Sequence, residues 1–583
     1  MPENIVQNLI MPAINSLRGP YSVREAVEIV ALFLMLKHLV DSGAINSNFF
    51  TRDDAQFADL IELIEQAKAL PFIKESFKEL MLTPDVVLRE ILAIMRGLPD
   101  LSAEDIVNLL ILDASNSRMG IAYFPITLMQ FLVKLVGVRQ TDSVYCASPM
   151  TLPMAALLLE NAGKVAYENV VNEKIASLLA VMFADKLTVA FSEPLMNPKF
   201  VSDAGDKLQR FDYGFSFSPF SYKFQQDYQK NDKFSRFELV TRNYEVAIIE
   251  HLIAQIDKLV CVTVNANLLA TEIDKSFRQF LINKGLLKAV IYLPQGVQSV
   301  ATAFLLIDPK GGSKSVRFVN LEQVEYLKKE GRNYVLNEID TLVDQVNSDD
   351  EYPGIVSVTY NNIIAADYVL TVQKHVLSNE GKQLATLLSS RETKTLNQLV
   401  NFERPLPPKI TNGDVIVCEI GAADAQYGYI QNPEKTISIS DQALNDYETN
   451  FLVPKDIVLI VKGSTGKVGI VPEDVPVSGE GGWVAGQSAM ILRMKKNAEI
   501  SAETLFVYLR SQAGQELLRQ MNSGSVISNL SLKDLKQMPV IIPSKEEMAE
   551  AEKNLARDRE VGEQIAALQA ELATLREQVW RLS

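Results

Sequence analysis

Cysteine and histidine are scarce in this chain of 583 residues, with 3 of each. Cys146, Cys261 and Cys418 lie far apart, forming neither a CxxC pair nor a disulfide framework, and His38, His251 and His375 are scattered in or beside apolar runs. That leaves too few ligands for a zinc centre or a histidine-based site, and each histidine reads as a packed or surface residue. Long apolar runs are missing too. None reaches about 18 residues without a charged or polar break, and MPENIVQNLIMPAINS lacks the basic-then-apolar layout of a signal peptide. A cytoplasmic protein without membrane contact is the expectation. No repeat of roughly 20 to 50 residues is evident, so a solenoid is not supported. A basic surplus is absent as well: the net charge of −15 argues against a surface coated in cations but leaves room for a local basic groove.

What is present is ordinary globular composition, 47% hydrophobic and 22% charged, in a chain too long for one core. Residues 1–118 read as a helical domain, with apolar periodicity in AVEIVALFLMLKHLV and PDVVLREILAIMRGL. From there to residue 325 the texture becomes short β-rich runs alternating with helices, among them DSVYCAS, KVAYENV, KLTVAFS, KLVCVTVNA and LLKAVIYLP. Such alternation predicts an α/β domain with a largely parallel sheet. Residues 326–390, with SDDEYPG at their centre, read as a connector with helical pieces. An irregular α+β domain follows over 391–544. The tail, 545–583, carries Ile565, Leu568, Leu572, Leu575, Val579 and Leu582 at alternating spacings of three and four, the pattern of a coiled-coil-like helix that pairs with another chain or docks on this one; Gly562 marks a weak point near its start.

Adenosyl-cofactor sites in doubly wound domains need a glycine-rich turn after the first strand and an acid at the end of the second. DNA amino-methylases add an Asn/Asp-Pro-Pro-aromatic loop, which accepts hydrogen bonds from the flipped base's amine and stacks on its ring. Here YFPITLMQFLVKLVGV, SVYCASPMTLPMAALLL, YENVVN and FDYGFSFSPF follow one another. In that order they resemble the "YTP", "VYDPACGSGGFLL", "YGQEIN" and "FDVVLANPPF" segments of the modification subunit of type I restriction-modification systems. The long run LVCVTVNAN to FLLI resembles the same family's late strands. The resemblance covers most of residues 1–375 and implies a Rossmann-like methyltransferase-type domain.

The departures fall on the chemistry. The glycine turn is replaced by Met150, Thr151, Leu152 and Pro153, and the ribose-binding acid by Val170. In the catalytic loop Phe217 and Ser218 replace the polar acceptor and the first proline, leaving only Pro219 and Phe220. Phe217 has no acceptor with which to orient an amine. Together with Cys146, these positions make up a degenerate cofactor pocket and a degenerate catalytic loop. No cofactor is therefore expected, and S-adenosylmethionine only if the true groups lie elsewhere, with Asn197 and Pro198 in EPLMNPKF as the competing site.

Residues from Thr393 onward resemble a target-recognition domain of type I specificity subunits, through FLVPKDIVLIVKGSTGKVGIV, WVAGQSAMILRM and the ISAETLF to VIIP run. The GSTGK segment is not a P-loop, since Val461 stands where the first glycine belongs and Val468 follows the lysine. The resemblance implies a DNA-facing surface with Lys462, Ser464, Thr465 and Lys467, then Gln487 and Ser488, then Asn522, Ser523 and Ser525, alternatives to plain solvated turns. The following helix resembles the family's dimer-forming helix. The reading is a sequence-dependent DNA-binding recognition or assembly subunit of a restriction-modification or phage-defence complex, a pseudoenzyme acting on double-stranded DNA as a homodimer or with other subunits. An active adenine-N6 methyltransferase, or a scaffold that inhibits a restriction complex without touching DNA, are the alternatives.

Overall fold

The computed structural model describes most of the chain between residues 10 and 577. Residues 1–9, 18–20, 68–84, 97–104, 109–122, 406–412, 441–443, 445–447, 522–529 and 578–583, and positions 53, 56, 106, 171–172, 221, 224–226, 231, 295, 332, 378, 427 and 432, lie outside the described residues. The chain divides into two compact units, Met1–Val376 and Leu377–Ser583.

The first unit is built on a nine-stranded sheet of order β11-β8-β6-β7-β5-β4-β1-β2-β3. Its strands are β1 (Ser143–Ala147), β2 (Lys164–Glu168), β3 (Leu187–Ala190), β4 (Phe211–Ser216), β5 (Ile256–Asn265), β6 (Leu287–Tyr292), β7 (Thr302–Ile307), β8 (Ser315–Asn320) and β11 (Ile355–Thr359); β9 (Leu327–Glu330) and β10 (Asn333–Leu336) form a separate hairpin. Pairing is parallel from β3 through β5, while β7 runs antiparallel between β5 and β6. Side chains alternate between faces along each strand. Val144 and Cys146 join one core, Tyr145 and Ala147 the other.

Two expectations are corrected here. The helical segment shares its core with the sheet instead of forming a domain apart: helix Val23–Asp41, opened by a Ser22–Glu25 capping box, is buried from Ala26 to Leu36 and packs on helix Glu173–Met182. A helix so apolar all round must be covered on every side. The span 326–390 is not a connector up to Val376: β11 pairs antiparallel with β8, and Ile363, Leu370 and Val372 are buried in the sheet's core. The charged SDDEYPG run is a surface segment leading into an edge strand, whose half-exposed pattern hides its membership in a sheet.

The second unit contains β12 (Thr393–Thr395), β13 (Val400–Glu403), β14 (Val415–Ile420), β15 (Thr436–Ile439), β16 (Ile457–Ile460), β17 (Val468–Ile470), β18 (Trp483–Ala485), β19 (Ala489–Met494) and β20 (Pro539–Ile541). They form sheets of order β13-β19-β16-β17 and β15-β14-β18 and the pair β12-β20. Asp456, at the entry to β16, is buried and grips Arg493 of β19 with both oxygens, Nε to Oδ1 at 2.9 Å and Nη2 to Oδ2 at 2.7 Å. The guanidinium also donates to the carbonyls of Thr449 and Phe451, so one ion pair fixes two strands and the loop before them. Helix Lys545–Glu577 runs through Gly562 without a break. Removing one partner of a buried pair strands the other charge. Asp456→Ala is expected to lower the stability of this unit by about 3–5 kcal/mol, read by urea unfolding followed with circular dichroism.

Candidate functional site

In an open α/β sheet, ligands bind beyond the carboxyl ends of the strands where the strand order reverses. That point lies between β1 and β4, because β2 and β3 continue to one side of β1 and β4 and β5 to the other. The ends of these strands carry Ser148 after β1 and the sequence Ser216, Phe217, Ser218 at the end of β4, all buried to 0% exposure together with Thr151. The Thr151 hydroxyl donates to the Ala147 carbonyl at 2.6 Å and accepts the Phe217 N–H at 2.8 Å, bridging the two strand ends. Ser148 Oγ lies 3.0 Å from Thr151 Oγ1 and 2.9 Å from Ser216 Oγ, which in turn lies 3.1 Å from Ser218 Oγ. The Ser218 N–H donates to Thr263 Oγ1 of β5 at 3.2 Å. The crevice is thus occupied by a hydroxyl cluster belonging to the chain itself.

Ser148 has φ 80° and ψ 154°, a region populated almost only by glycine and costing on the order of 1–3 kcal/mol for another residue. The glycine-type turn therefore persists in the backbone, held by the serine's hydrogen bonds. Phe217 turns away into the core, 5.2 Å from Phe124 and 5.8 Å from Phe304 between ring centres. Met150 is buried; Pro153 lies in the first turn of helix Leu152–Leu158 and Cys146 within β1, its thiol raised by burial. Val170 is 54% exposed, and Pro219 and Phe220 are half-buried. Asn197 is exposed on the loop after β3 and Pro198 half-buried beside it, in a loop tied to the end of β2 by the Lys199 N–H bond to Glu168.

The sequence reading missed Glu168, the last residue of β2. It is fully buried and accepts from Tyr145 Oη at 2.7 Å, from the Lys199 N–H at 2.7 Å and from the Ser192 hydroxyl. Burial raises its pKa despite these donors. The chain of bonds continues through Tyr145 Oη to His251 Nε2 at 3.1 Å and from His251 Nδ1 to Arg236 Nη1 at 2.9 Å. A guanidinium can only donate, so Nδ1 is the acceptor and Nε2 carries the proton. Burial, then the Arg236 charge, hold the His251 pKa well below its usual value. Arg236 is itself gripped by Asp232 and bonded to the carbonyls of Pro194 and Leu195, so this network fastens the loops after β3 and β4 to helix Tyr244–Gln255. An acid at the end of the second strand was the available signal; its displacement by two residues from Val170 concealed it.

In the second unit the turn between β16 and β17 places Lys462 and Ser464 in solvent and leaves Thr465 and Lys467 half-buried. The backbone N–H groups of Val461 and Lys462 both donate to the Ser488 carbonyl, at 2.7 and 3.1 Å, which brings the turn holding Gln487 and Ser488 beside the first. Lys467 Nζ reaches Gln426 Oε1 at 3.3 Å. Asn522, Ser523 and Ser525 lie outside the described residues, but Leu530, just past them, donates to the Val461 carbonyl at 2.9 Å, next to Lys462. On the long helix, Ile565, Leu568, Leu572 and Leu575 are exposed, while Val579 and Leu582 lie outside the described residues. Among the described residues no group of acids, histidines and cysteines could hold a metal ion, and no helix is long and apolar enough to cross a membrane.

Fold and site together define an α/β domain organised around a strand-end crevice, followed by a β-rich domain that presents adjoining polar turns. Residues 112–383 match the N-6 DNA Methylase family and residues 386–571 the type I restriction modification DNA specificity domain. The chain is a fusion of these two domains. It is 26% identical over 241 residues to the Type I restriction enzyme EcoBI specificity subunit of Escherichia coli, covering 37% of this chain and 47% of that protein, so it spans about half the length of its curated relative. Among solved structures, the methyltransferase subunit of a type I restriction-modification system from Streptococcus thermophilus is similar at 14% identity and TM-score 0.48, over 58% of this chain and 78% of that one. The type IIG restriction endonuclease BpuSI is similar at 10% identity and TM-score 0.48, over 95% of this chain and 74% of that one.

Beside the network, Glu250 accepts from the N–H groups of Glu238 and Leu239 at 2.7 and 3.0 Å through Oε1, while Oε2 is buried without a partner. Burial pushes its pKa up to about 7, with the Glu238 charge adding to the effect and Lys284 opposing it. A raised folded pKa means that its contribution to stability is full below the unfolded value near 4.5 and is lost as pH rises through about 7. The stability of the intact chain relative to Glu250→Gln should therefore fall between pH 4.5 and 7.5, by roughly 3 kcal/mol. Denaturant titrations of both proteins across that range measure it; a difference independent of pH would contradict the assignment.

Proposed function

We propose that this chain is a sequence-dependent DNA-binding recognition and assembly subunit of a restriction-modification or phage-defence system, and that its methylase domain does not transfer methyl groups. The observation that carries this reading is the crevice at the β1/β4 reversal, filled by Ser148, Thr151, Ser216 and Ser218 with Phe217 turned inward. The adenosyl cofactor of a methylase does not fit these residues. Its adenosine needs a bare glycine turn, and its ribose needs an acid that Glu168 no longer offers to solvent. Radiolabelled S-adenosylmethionine should show no saturable binding to the purified protein, with or without duplex DNA.

Saturable binding, followed by methylated adenine in cellular DNA, would instead establish the second reading, an active adenine-N6 methyltransferase. That reading is favoured by the match to the N-6 DNA Methylase family over residues 112–383.

Within the proposed role, residues 391–544 read DNA and residues 545–583 pair two chains, restoring the two recognition domains that a specificity subunit normally carries. Lys462 and Lys467 neutralise phosphates; Ser464, Thr465, Gln487 and Ser488 lie on the same pair of turns. The adjacency of the two turns through Ser488 supports a single contact surface. Each phosphate contact contributes about −0.9 to the slope of log affinity against log salt. Replacing Lys462 and Lys467 by alanine should make that slope shallower by about two, measured by fluorescence anisotropy on duplex DNA. An intact protein that binds no duplex at low salt would point to the scaffold or inhibitor alternative.

A further inference from the structure

The turn between β16 and β17 runs from Val461 to Lys467 and contains two glycines in the left-handed region, Gly463 at φ 76° and Gly466 at φ 86°. Glycine leaves the free chain more conformations than any other residue, so a turn of this composition needs outside contacts to keep one shape. Its β16 side is held by backbone: the Val461 and Lys462 N–H groups donate to the Ser488 carbonyl, and the Leu530 N–H donates to the Val461 carbonyl. Its β17 side is held by a side chain. Gln515 Nε2 donates to the Gly466 carbonyl at 2.9 Å and to the Leu509 carbonyl at 2.7 Å.

Both bonds end on carbonyl oxygens, which only accept, so the amide nitrogen must face them and both of its hydrogens are used. Leu509 belongs to the last turn of helix Ala502–Arg510, whose carbonyls have no partner within the helix. That bond fixes the amide and leaves its other hydrogen for the turn. Gln515 stands on helix Gln512–Met521, where Leu517 and Leu518 are buried in the same core as Leu509, Val468 and Ile470. The helix shares its core with the strand that follows the turn, so Gln515 projects from a rigid frame. A Cβ at Gly466 would come to 3.3 Å from Gln515 Oε1, tighter than ordinary contact, so glycine serves the close approach as well as the positive φ. A recess of about 390 Å³, lined in part by Thr465, Gly466, Gln512 and Gln515, opens at this junction and gives the turn room to move once the bond is cut.

We propose that Gln515 is a positioning residue for sequence reading: it holds the Gly466–Lys467 peptide plane, and with it the directions in which Thr465 and Lys467 leave the turn, without itself contacting DNA. Reading a base edge needs a side chain aligned with the donors and acceptors in the groove, because hydrogen bonds weaken steeply once bent. Neutralising a phosphate needs only a cation nearby and carries no sequence information. Loss of the Gln515 donors therefore separates the two, lowering discrimination among sequences while non-specific affinity stays. This assignment rests on the DNA-reading role proposed above for residues 391–544 and names the side chain behind the surface on which that reading depends.

The full chain is first used to select its preferred sequence from duplexes with a randomised core, and fluorescence anisotropy then compares that duplex with a scrambled one over a range of salt. Gln515→Met keeps the length and volume of the side chain and removes both donors. It should lose roughly ten-fold in the ratio of the two affinities, the worth of one base contact, with the affinity for scrambled duplex and its salt slope unchanged. Gly466→Ala disturbs the same contact from the turn, so it should lower the ratio too, and the double variant should lose no more than the larger single loss. If Gln515→Met does not fold, Gly466→Ala carries the test. Val540→Ala, a truncation of a buried side chain in β20, controls for stability: it should lower the urea midpoint and keep the ratio. A ratio unchanged in Gln515→Met or in Gly466→Ala, an equal loss on both duplexes, or a ratio that falls with the urea midpoint in Val540→Ala overturns the assignment while DNA reading stands. An intact chain that prefers no sequence, or binds no duplex, overturns the reading and the assignment with it.

Discussion

One hydroxyl group organises the end of the first unit's sheet. Thr151 Oγ1 donates to the last carbonyl of β1 and accepts the backbone N–H just past β4, so it stands in the slot where strand order reverses and ties that slot shut. A buried N–H left without a partner costs about 1–3 kcal/mol, and Thr151 supplies that partner for Phe217. With the backbone pinned there, the Phe217 side chain packs inward against Phe124 and Phe304, and Ser216 and Ser218 face Ser148. Ser148, Thr151, Ser216 and Phe217 thus hold one another in place. A change at position 217 alone would leave the serine cluster and the strained Ser148 turn in place.

The opposite face of the sheet is fastened by charge. Glu168, Tyr145, His251, Arg236 and Asp232 form a directed chain of hydrogen bonds in which the donors and acceptors are fixed by the guanidinium at one end. It holds the loops after β3 and β4 in place from beneath. An acid at the end of the second strand would offer its oxygens to a ribose in a working adenosyl site; here both oxygens bind protein donors. The domain keeps the architecture of a methylase while its polar groups are directed inward, in keeping with a scaffold in the proposed role.

In the second unit the Asp456–Arg493 pair does comparable work for the recognition domain, anchoring β16 and β19 and the loop ahead of them. The polar turns that these strands carry are then positioned by backbone bonds to Ser488. Rigid strands beneath exposed turns are the arrangement in which loop side chains can vary without loss of fold. The long helix follows the same division, with Leu555 and Asp558 packed on the domain and Ile565, Leu568, Leu572 and Leu575 exposed.

The sequence alone determined the order of elements and the two kinds of domain, because strand and helix periodicities are local and the motif order in a doubly wound domain follows the chain. It also singled out Phe217, Met150 and Val170 as departures from the motifs that the segments around them resemble. Only the tertiary structure decided what stands in the crevice instead. Ser148, Thr151 and Ser216 come together from segments up to 68 residues apart, and no local pattern encodes that meeting. The same holds for Glu168 with His251 through Tyr145, for Asp456 with Arg493, and for helix Val23–Asp41, whose apolar surface packs on helix Glu173–Met182. Periodicity reports which face of an element avoids water; what covers that face depends on contacts distant in sequence, and those exist only once the chain has folded.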